Sequence, residues 1–450
     1  MKILLKQGIL VTSQEILTGD ILLEDGKIGH ISSYLATSAD LVVDCEGKLI
    51  LPGMIDTHVH FRDPGLTHKG DCYTESKAAL AGGVTTVCDM PNTIPQTTTY
   101  ELVKAKQELY AHKCLCDFGI YIGAAKDNLE ELKLADEDST IPAIKIFMAE
   151  STGEMTLFED EYLRPIFAET KKLIAVHAED ERRRLQRLEL FKQKKLPENA
   201  WVESKNPYQH AVIRDNLVAA EGARKAVELA LEFNHRTHIL HMSAKEELPH
   251  LERGVQSGLV SGETCPQYLF FDREQIRDYA GLRIMNPALK GRDDQQALWN
   301  AINQGLINHY ATDHAPHLLE EKLQPYGQLP AGLPSIQFAL PLLLHSVYQK
   351  RLTLNQVVQL YATNPAKNYK IRNKGDLVPS FDGDVVIVDP TQKIFIRSDM
   401  VLSKCGWSPY ENMTLQGGSV IKTFRRGELV YDQGRFIETT KGKTITIEKS

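Results

Sequence analysis

Between residues 54 and 313, short strand-like segments alternate with helical ones, and this alternation constrains the fold more than any other feature. The strand candidates are MIDTHVH (54–60), VTTVCDM (84–90), CDFGIYIG (116–123), PAIKIFM (142–148), LIAVHA (173–178), THILHMS (237–243), LVSGETC (259–265) and NHYATD (308–313). Helical stretches such as YTESKAALAGG, with its Gly82-Gly83 stop, and YELVKAKQELYAHK separate most of them. Strands alternating with helices in this number, over about 260 residues, predict an α/β fold of the (β/α)8 TIM-type barrel class. A doubly wound open sheet is the competing fold, but no GxGxxG or P-loop follows the first strand.

The two ends have a different texture. ILLKQGILVT, DILLEDGKIGHIS and ADLVVDCEGKLILPG are short strands broken by turns, with Asp25-Gly26 as a hairpin signal. KGDLVPSFDGDVVIVD, SVIKTFRRGELVYDQGRFI and GKTITIEKS repeat that texture at the C-terminus. The expectation is a smaller β-sandwich-like domain built from residues 1–51 and 369–450, enclosing a barrel over 52–368. With 42% hydrophobic and 25% charged residues the chain can bury a large core, which excludes disorder as its main state. A net charge of −7 gives no support for nucleic acid or an anionic membrane as partner. The basic run ERRRLQRLELFKQKK reads as a solvated helix in the insertion 181–236. No apolar run approaches the about 20 residues a membrane span needs. MKILLKQGIL is too short and interrupted for a signal peptide, and the scattered cysteines argue against a disulfide framework. A cytoplasmic location is expected.

In a strand, alternate side chains share a face. DTHVHFRD therefore places His58, His60 and Arg62 on one side and Val59 and Phe61 on the other. Two imidazoles so spaced can converge on one cation through neutral nitrogens. Active sites of barrels form at the C-terminal ends of the strands. His58 and His60 end the first strand, His177 the fifth, His241 the sixth and Asp313 the eighth. Lys145, alternating with Ile144 and Ile146, faces the barrel interior, where a bare ammonium needs a carboxylate partner or a depressed pKa. Metal-capable or unusual groups on strands 1, 4, 5, 6 and 8 predict a metal site.

HVHFRDPG, KGDCYTESKAALAGGVTT, MPNT, IKIFM, HAED, TDHAPH and NPAK, in this order, resemble the dihydroorotases of the amidohydrolase superfamily. The resemblance spans the barrel and reaches into both ends. It implies a (β/α)8 barrel with a composite β domain and two divalent metal ions, most often Zn2+, bridged by a lysine that carries a CO2-derived carboxylate. By position, His58, His60 and Asp313 match the ligands of one metal, His177 and His241 those of the other, and Lys145 the bridging lysine. Arg62, Asn92 and His317 match substrate contacts, and Asn286 of RIMNPALK matches another. The implied activity is reversible hydrolysis of the cyclic amide of L-dihydroorotate to N-carbamoyl-L-aspartate in pyrimidine biosynthesis, with Asp313 as general base and then acid.

Three segments depart from the dihydroorotase pattern. GETCPQYL (262–269) and IKIFMA resemble hydantoinases or allantoinases, and Ala288 stands where a second proline is familiar. A hydantoinase- or allantoinase-type cyclic amidohydrolase is therefore one alternative, and a non-catalytic homologue acting as a scaffold is another. Arg62 and His317 favour a substrate that bears a carboxylate. Cobalt and manganese also suit such N/O ligands. The partners expected are a small-molecule substrate and a second copy of the chain in a homodimer, with no nucleic acid and no membrane.

Overall fold

The computed structural model describes residues 1–150, 155–203 and 206–448. All eight expected strands form, most of them trimmed at their ends: Met54–Val59, Val84–Asp89, Asp117–Ile120 with Ile122–Gly123, Ile144–Phe147, Ile174–His177, Thr237–Ile239, Val260–Thr264 and His309–Tyr310. The third is interrupted at Tyr121, whose N–H turns to the Asp89 carbonyl at 3.1 Å. Neighbours in the chain pair in parallel. The ring closes where His60 N–H donates to the His314 carbonyl at 2.8 Å, beside a parallel bridge between Val59 and His314. The fold is a (β/α)8 barrel. Its strands are buried on both faces, so that even their polar residues, such as Asp56, His58 and Thr86, are enclosed.

Helices between the strands begin at side-chain caps. Asp71 accepts the Thr74 N–H at 2.9 Å to start Cys72–Ala81, and Thr99 accepts the Leu102 N–H at 3.2 Å to start Tyr100–Lys113. The basic run forms the helix Glu181–Lys192, with Arg183 on Asp215 and Arg184 on Glu181. No helix among the described residues is long and apolar enough to cross a membrane.

The chain ends meet in one nine-stranded sheet. Leu49–Pro52 pairs in parallel with Lys2–Val11 and antiparallel with Val385–Asp389, so it joins N-terminal to C-terminal strands. The Asp25-Gly26 turn forms with φ of 52° and 80°, the positive pair that a tight hairpin between Ile16–Glu24 and Lys27–Ser32 demands. Leu49–Pro52 leads through Gly53 into the first barrel strand. A side chain at Gly53 would lie 2.2 Å from Thr85 Oγ1, so the two units meet backbone to side chain.

One expectation for the C-terminus fails. Among the described residues, 442–448 of GKTITIEKS add no strand to the sheet; they bridge Phe118 at Thr444 and Ile371 at Ile447. Ile445 and Ile447 pack with Ile55, Ala143, Ala175 and Leu240, which are barrel residues. There the tail's apolar positions are removed from water against the barrel.

Candidate metal centre

The strand ends bring the predicted ligands together, though not all by strand geometry. His58 lies on the first strand and His177 ends the fifth, whereas the sixth stops at Ile239 and the eighth at Tyr310. His241 and Asp313 stand beyond them with φ of 39° and 48°, and Arg62 has φ of 69°. Non-glycine residues rarely adopt this left-handed backbone, and strain of this kind gathers at functional sites. Alternation along the first strand therefore does not extend to Arg62. A turn aims its side chain instead.

His58, His60 and Asp313 offer ligand atoms that all lie within 4.8 Å of one another. Asp313 Oδ1 is 3.3 Å from His58 Nε2 and 3.0 Å from His60 Nε2. The far nitrogens of both rings are held: His60 Nδ1 lies 2.7 Å from Asn92 Oδ1, and His58 Nδ1 lies 2.6 Å from Glu263 Oε1. Across the site, His177 Nδ1 faces His241 Nε2 at 2.8 Å. His177 Nε2 donates to Glu179 Oε2 at 2.9 Å, so its Nδ1 carries the lone pair that points inward. The His58 and His241 rings stand 5.3 Å apart and join the two groups.

Lys145 is fully buried, and among the described residues its Nζ has no hydrogen-bond partner. Burial pushes its pKa down to about 7. The same burial, reinforced by the Lys145 charge, holds His58, His60, His177 and His241 below the usual histidine range. Neutral imidazoles whose inward nitrogens face one another or Asp313, one carboxylate and an amine without a hydrogen-bond partner among the described residues can hold a divalent cation or two. Among the described residues, His241 Nδ1 is a second buried atom left without a hydrogen-bond partner. These residues fit a metal centre better than a closed hydrogen-bond network, which would leave no such atoms.

Beside Asp313 lies a largely buried basic cluster, whose Lys69 is paired with Glu321 at 3.1 Å. Arg62 is buried, donates from Nε to the Pro316 carbonyl at 3.0 Å, and brings Nη2 to 2.9 Å from His317 Nε2. Lys69 Nζ is 3.1 Å from His317 Nδ1. Burial and the neighbouring Arg62 charge keep His317 well below the usual histidine pKa. Asn286 sits elsewhere, in a cavity of about 340 Å³ lined also by His210, Arg214 and Tyr326, and its Oδ1 has no partner among the described residues. That cavity's lining includes none of the six candidate ligands.

Sequence reasoning missed the carboxylates behind the ligands. Glu263 and Glu179 are fully buried, and Arg214 pairs with Glu179 from the outside. Both occur in segments already singled out, GETCPQYL and HAED. A glutamate inside a buried strand was the available signal for Glu263. His314, next to Asp313, binds Glu75 Oε2 at 2.8 Å and accepts the Ser335 N–H at 3.0 Å, which anchors the loop after the eighth strand.

The amidohydrolase family model matches residues 49–430. A dihydroorotase of Methanosarcina acetivorans is 38% identical over 422 residues, covering 89% of this chain and 88% of that protein. A dihydroorotase of Pyrococcus abyssi is 33% identical, covering 98% of each. Among solved structures, the L-hydantoinase (dihydropyrimidinase) of Arthrobacter aurescens superimposes with a TM-score of 0.92 at 27% identity, covering 99% of each chain.

Proposed function

The chain belongs to the amidohydrolase family, and on that premise we propose that it is a dihydroorotase, interconverting L-dihydroorotate and N-carbamoyl-L-aspartate. His58, His60 and Asp313 would hold one divalent cation and His177 and His241 a second, with Lys145, carboxylated by CO2, between them. Nitrogen and oxygen donors of this kind suit zinc. A bound pair of such cations lowers the pKa of water and polarises the amide carbonyl.

The remaining work falls to the chain's own side chains. Asp313 accepts a proton from the attacking water and returns it to the ring nitrogen as the amide bond breaks, and the reverse direction uses the same group as acid first. Asn92 keeps His60 oriented through Nδ1, so that Nε2 faces Asp313. Arg62 and His317 hold the substrate carboxylate, a positioning contribution that turns binding into alignment. Asn286 would be a further substrate contact, lining a cavity with His210 and Arg214.

The observation that carries this reading is the buried Arg62–His317 pair beside Asp313. Among the described residues the Arg62 guanidinium has no carboxylate at hydrogen-bond distance, which suits an anionic substrate, and dihydroorotate bears a carboxylate that a plain hydantoin lacks. The hydantoinase alternative draws on the likeness to hydantoinase structures and on GETCPQYL. One assay separates the two. Arg62→Met should lower kcat/KM for dihydroorotate by about 10- to 150-fold, the worth of a charge-assisted hydrogen bond. Its effect on an unsubstituted hydantoin should be far smaller. Equal losses on both substrates, or none on either, would remove Arg62 as the carboxylate clamp.

A further inference from the structure

We propose that Glu263 is a positioning residue that sets the metal-binding tautomer of His58 and fixes the backbone entering His241, so that one carboxylate braces ligands of both cations. The inference rests on the reading of His58 and His241 as ligands.

Glu263 lies on the seventh strand, Val260–Thr264, and is fully buried. Its Oε1 is 2.6 Å from His58 Nδ1 and accepts the His241 N–H at 3.3 Å. Its Oε2 is 3.1 Å from His238 Nε2. His238 settles which atoms donate. Asn368 Nδ2, which can only donate, is 3.3 Å from His238 Nδ1, and the Ser261 hydroxyl is 2.7 Å from the same nitrogen. His238 Nδ1 therefore carries the lone pair, and Nε2 carries the proton that Glu263 receives.

The arrangement follows from strand register. His238 on the sixth strand stands opposite Ser261 on the seventh, and Glu263, two residues on, shares the Ser261 face. With its acceptors facing His238 Nε2–H and His241 N–H, Glu263 presents its remaining capacity to His58 Nδ1. A neutral imidazole has one proton, so placing it on Nδ1 leaves the Nε2 lone pair facing Asp313. Ligating histidines are commonly oriented by a carboxylate in this way. Here the same carboxylate also holds the strand-six turn at His241, whose φ of 39° is otherwise unfavourable.

The test uses the zinc-reconstituted protein. Glu263→Gln keeps the volume but replaces one acceptor oxygen with an N–H donor, which must face a ring N–H. Its zinc affinity, measured by chelator competition, should fall about 10- to 100-fold. The visible spectrum of the Co2+-loaded variant should shift from that of the unsubstituted protein, while the melting temperature of the chelator-stripped variant should stay close to the stripped parent. His238→Phe, which keeps a ring but removes the N–H donor behind Oε2, should weaken zinc in the same direction by less, and it decides the matter if Glu263→Gln does not fold. Unchanged zinc affinity and Co2+ spectrum in both variants overturn the proposal and leave the metal centre standing. An equal fall in melting temperature with and without metal overturns it too, because Glu263 would then be holding the fold alone. Parent protein that binds no zinc at all overturns the reading on which the proposal rests.

Discussion

Two clusters of buried charge sit at opposite ends of the barrel and are built on different terms. At the floor, where the terminal sheet meets the barrel, Lys374 Nζ lies 2.7 Å from Asp117, 2.5 Å from Asp384 and 3.1 Å from Asp382. Arg426 pairs with Asp117 and Asp382 at 2.7 and 3.0 Å, and carboxylate oxygens also accept the N–H groups of Arg426 and Lys443. These partners hold Lys374 above the usual lysine range and Asp117 below the usual carboxylate range. At the mouth, Lys145 is just as buried, has no such partner among the described residues, and is pushed the other way. Burial of charge is common to both. Completeness of pairing separates a cluster that holds the molecule together from one arranged to receive a cation and a substrate.

If that distinction is right, the mouth should respond to metal and the floor should not. Chelation should abolish turnover, with zinc restoring it, and elemental analysis of the active protein should approach about two ions per chain. Lys145→Ala should lose metal and most activity together. Asp313→Asn, with metal bound, should lower kcat by about 10²- to 10⁴-fold, measured on dihydroorotate at saturation. Near-normal turnover there would assign the proton transfer to another group.

The floor should answer in stability instead. Lys374→Met leaves three carboxylates with fewer cations, and breaking a buried network in this way costs about 3–5 kcal/mol by urea unfolding. The kcat of the folded fraction should be unchanged. The pH dependence has a definite sign. Asp117 and Asp382 have folded pKa values below their unfolded ones, so the unfolded chain binds more protons in acid. Their stabilisation is complete above the unfolded value, about pH 4, and is lost as pH falls through the depressed values. The urea midpoint should therefore drop between pH 5 and pH 3, and by less in Lys374→Met. The smallest effect is expected for Lys145→Met in the metal-free protein. Removing an unpartnered buried amine should leave the melting temperature unchanged or raise it, a change within about 1 kcal/mol. A clear fall would mean that Lys145 is paired like Lys374, and the contrast between the two clusters would collapse.

Local rules made much of the site legible before any tertiary contact was known. Helix–strand alternation sufficed for the barrel, the two-residue period put His58 and His60 on one face, and strand ends pointed to His177, His241 and Asp313. The same period put Arg62 on the site side, where it lies, but by a different route: the backbone leaves the strand after Val59 and turns through a positive φ. It misled at GKTITIEKS, whose pattern suits a strand but whose apolar residues cover the barrel floor.

The sequence by itself determined which segments are barrel strands, which of their residues face inward, and which chemistry stands at their ends. Each of these is set within a few residues by backbone geometry and by the period of apolar side chains. Only the tertiary structure decided which carboxylate stands behind which imidazole. Glu263 meets His58 across 205 positions of chain, and Arg62 meets His317 across 255. No local period encodes such pairings, because closing the barrel brings the first and last strands together and only then fixes the atoms that face each other.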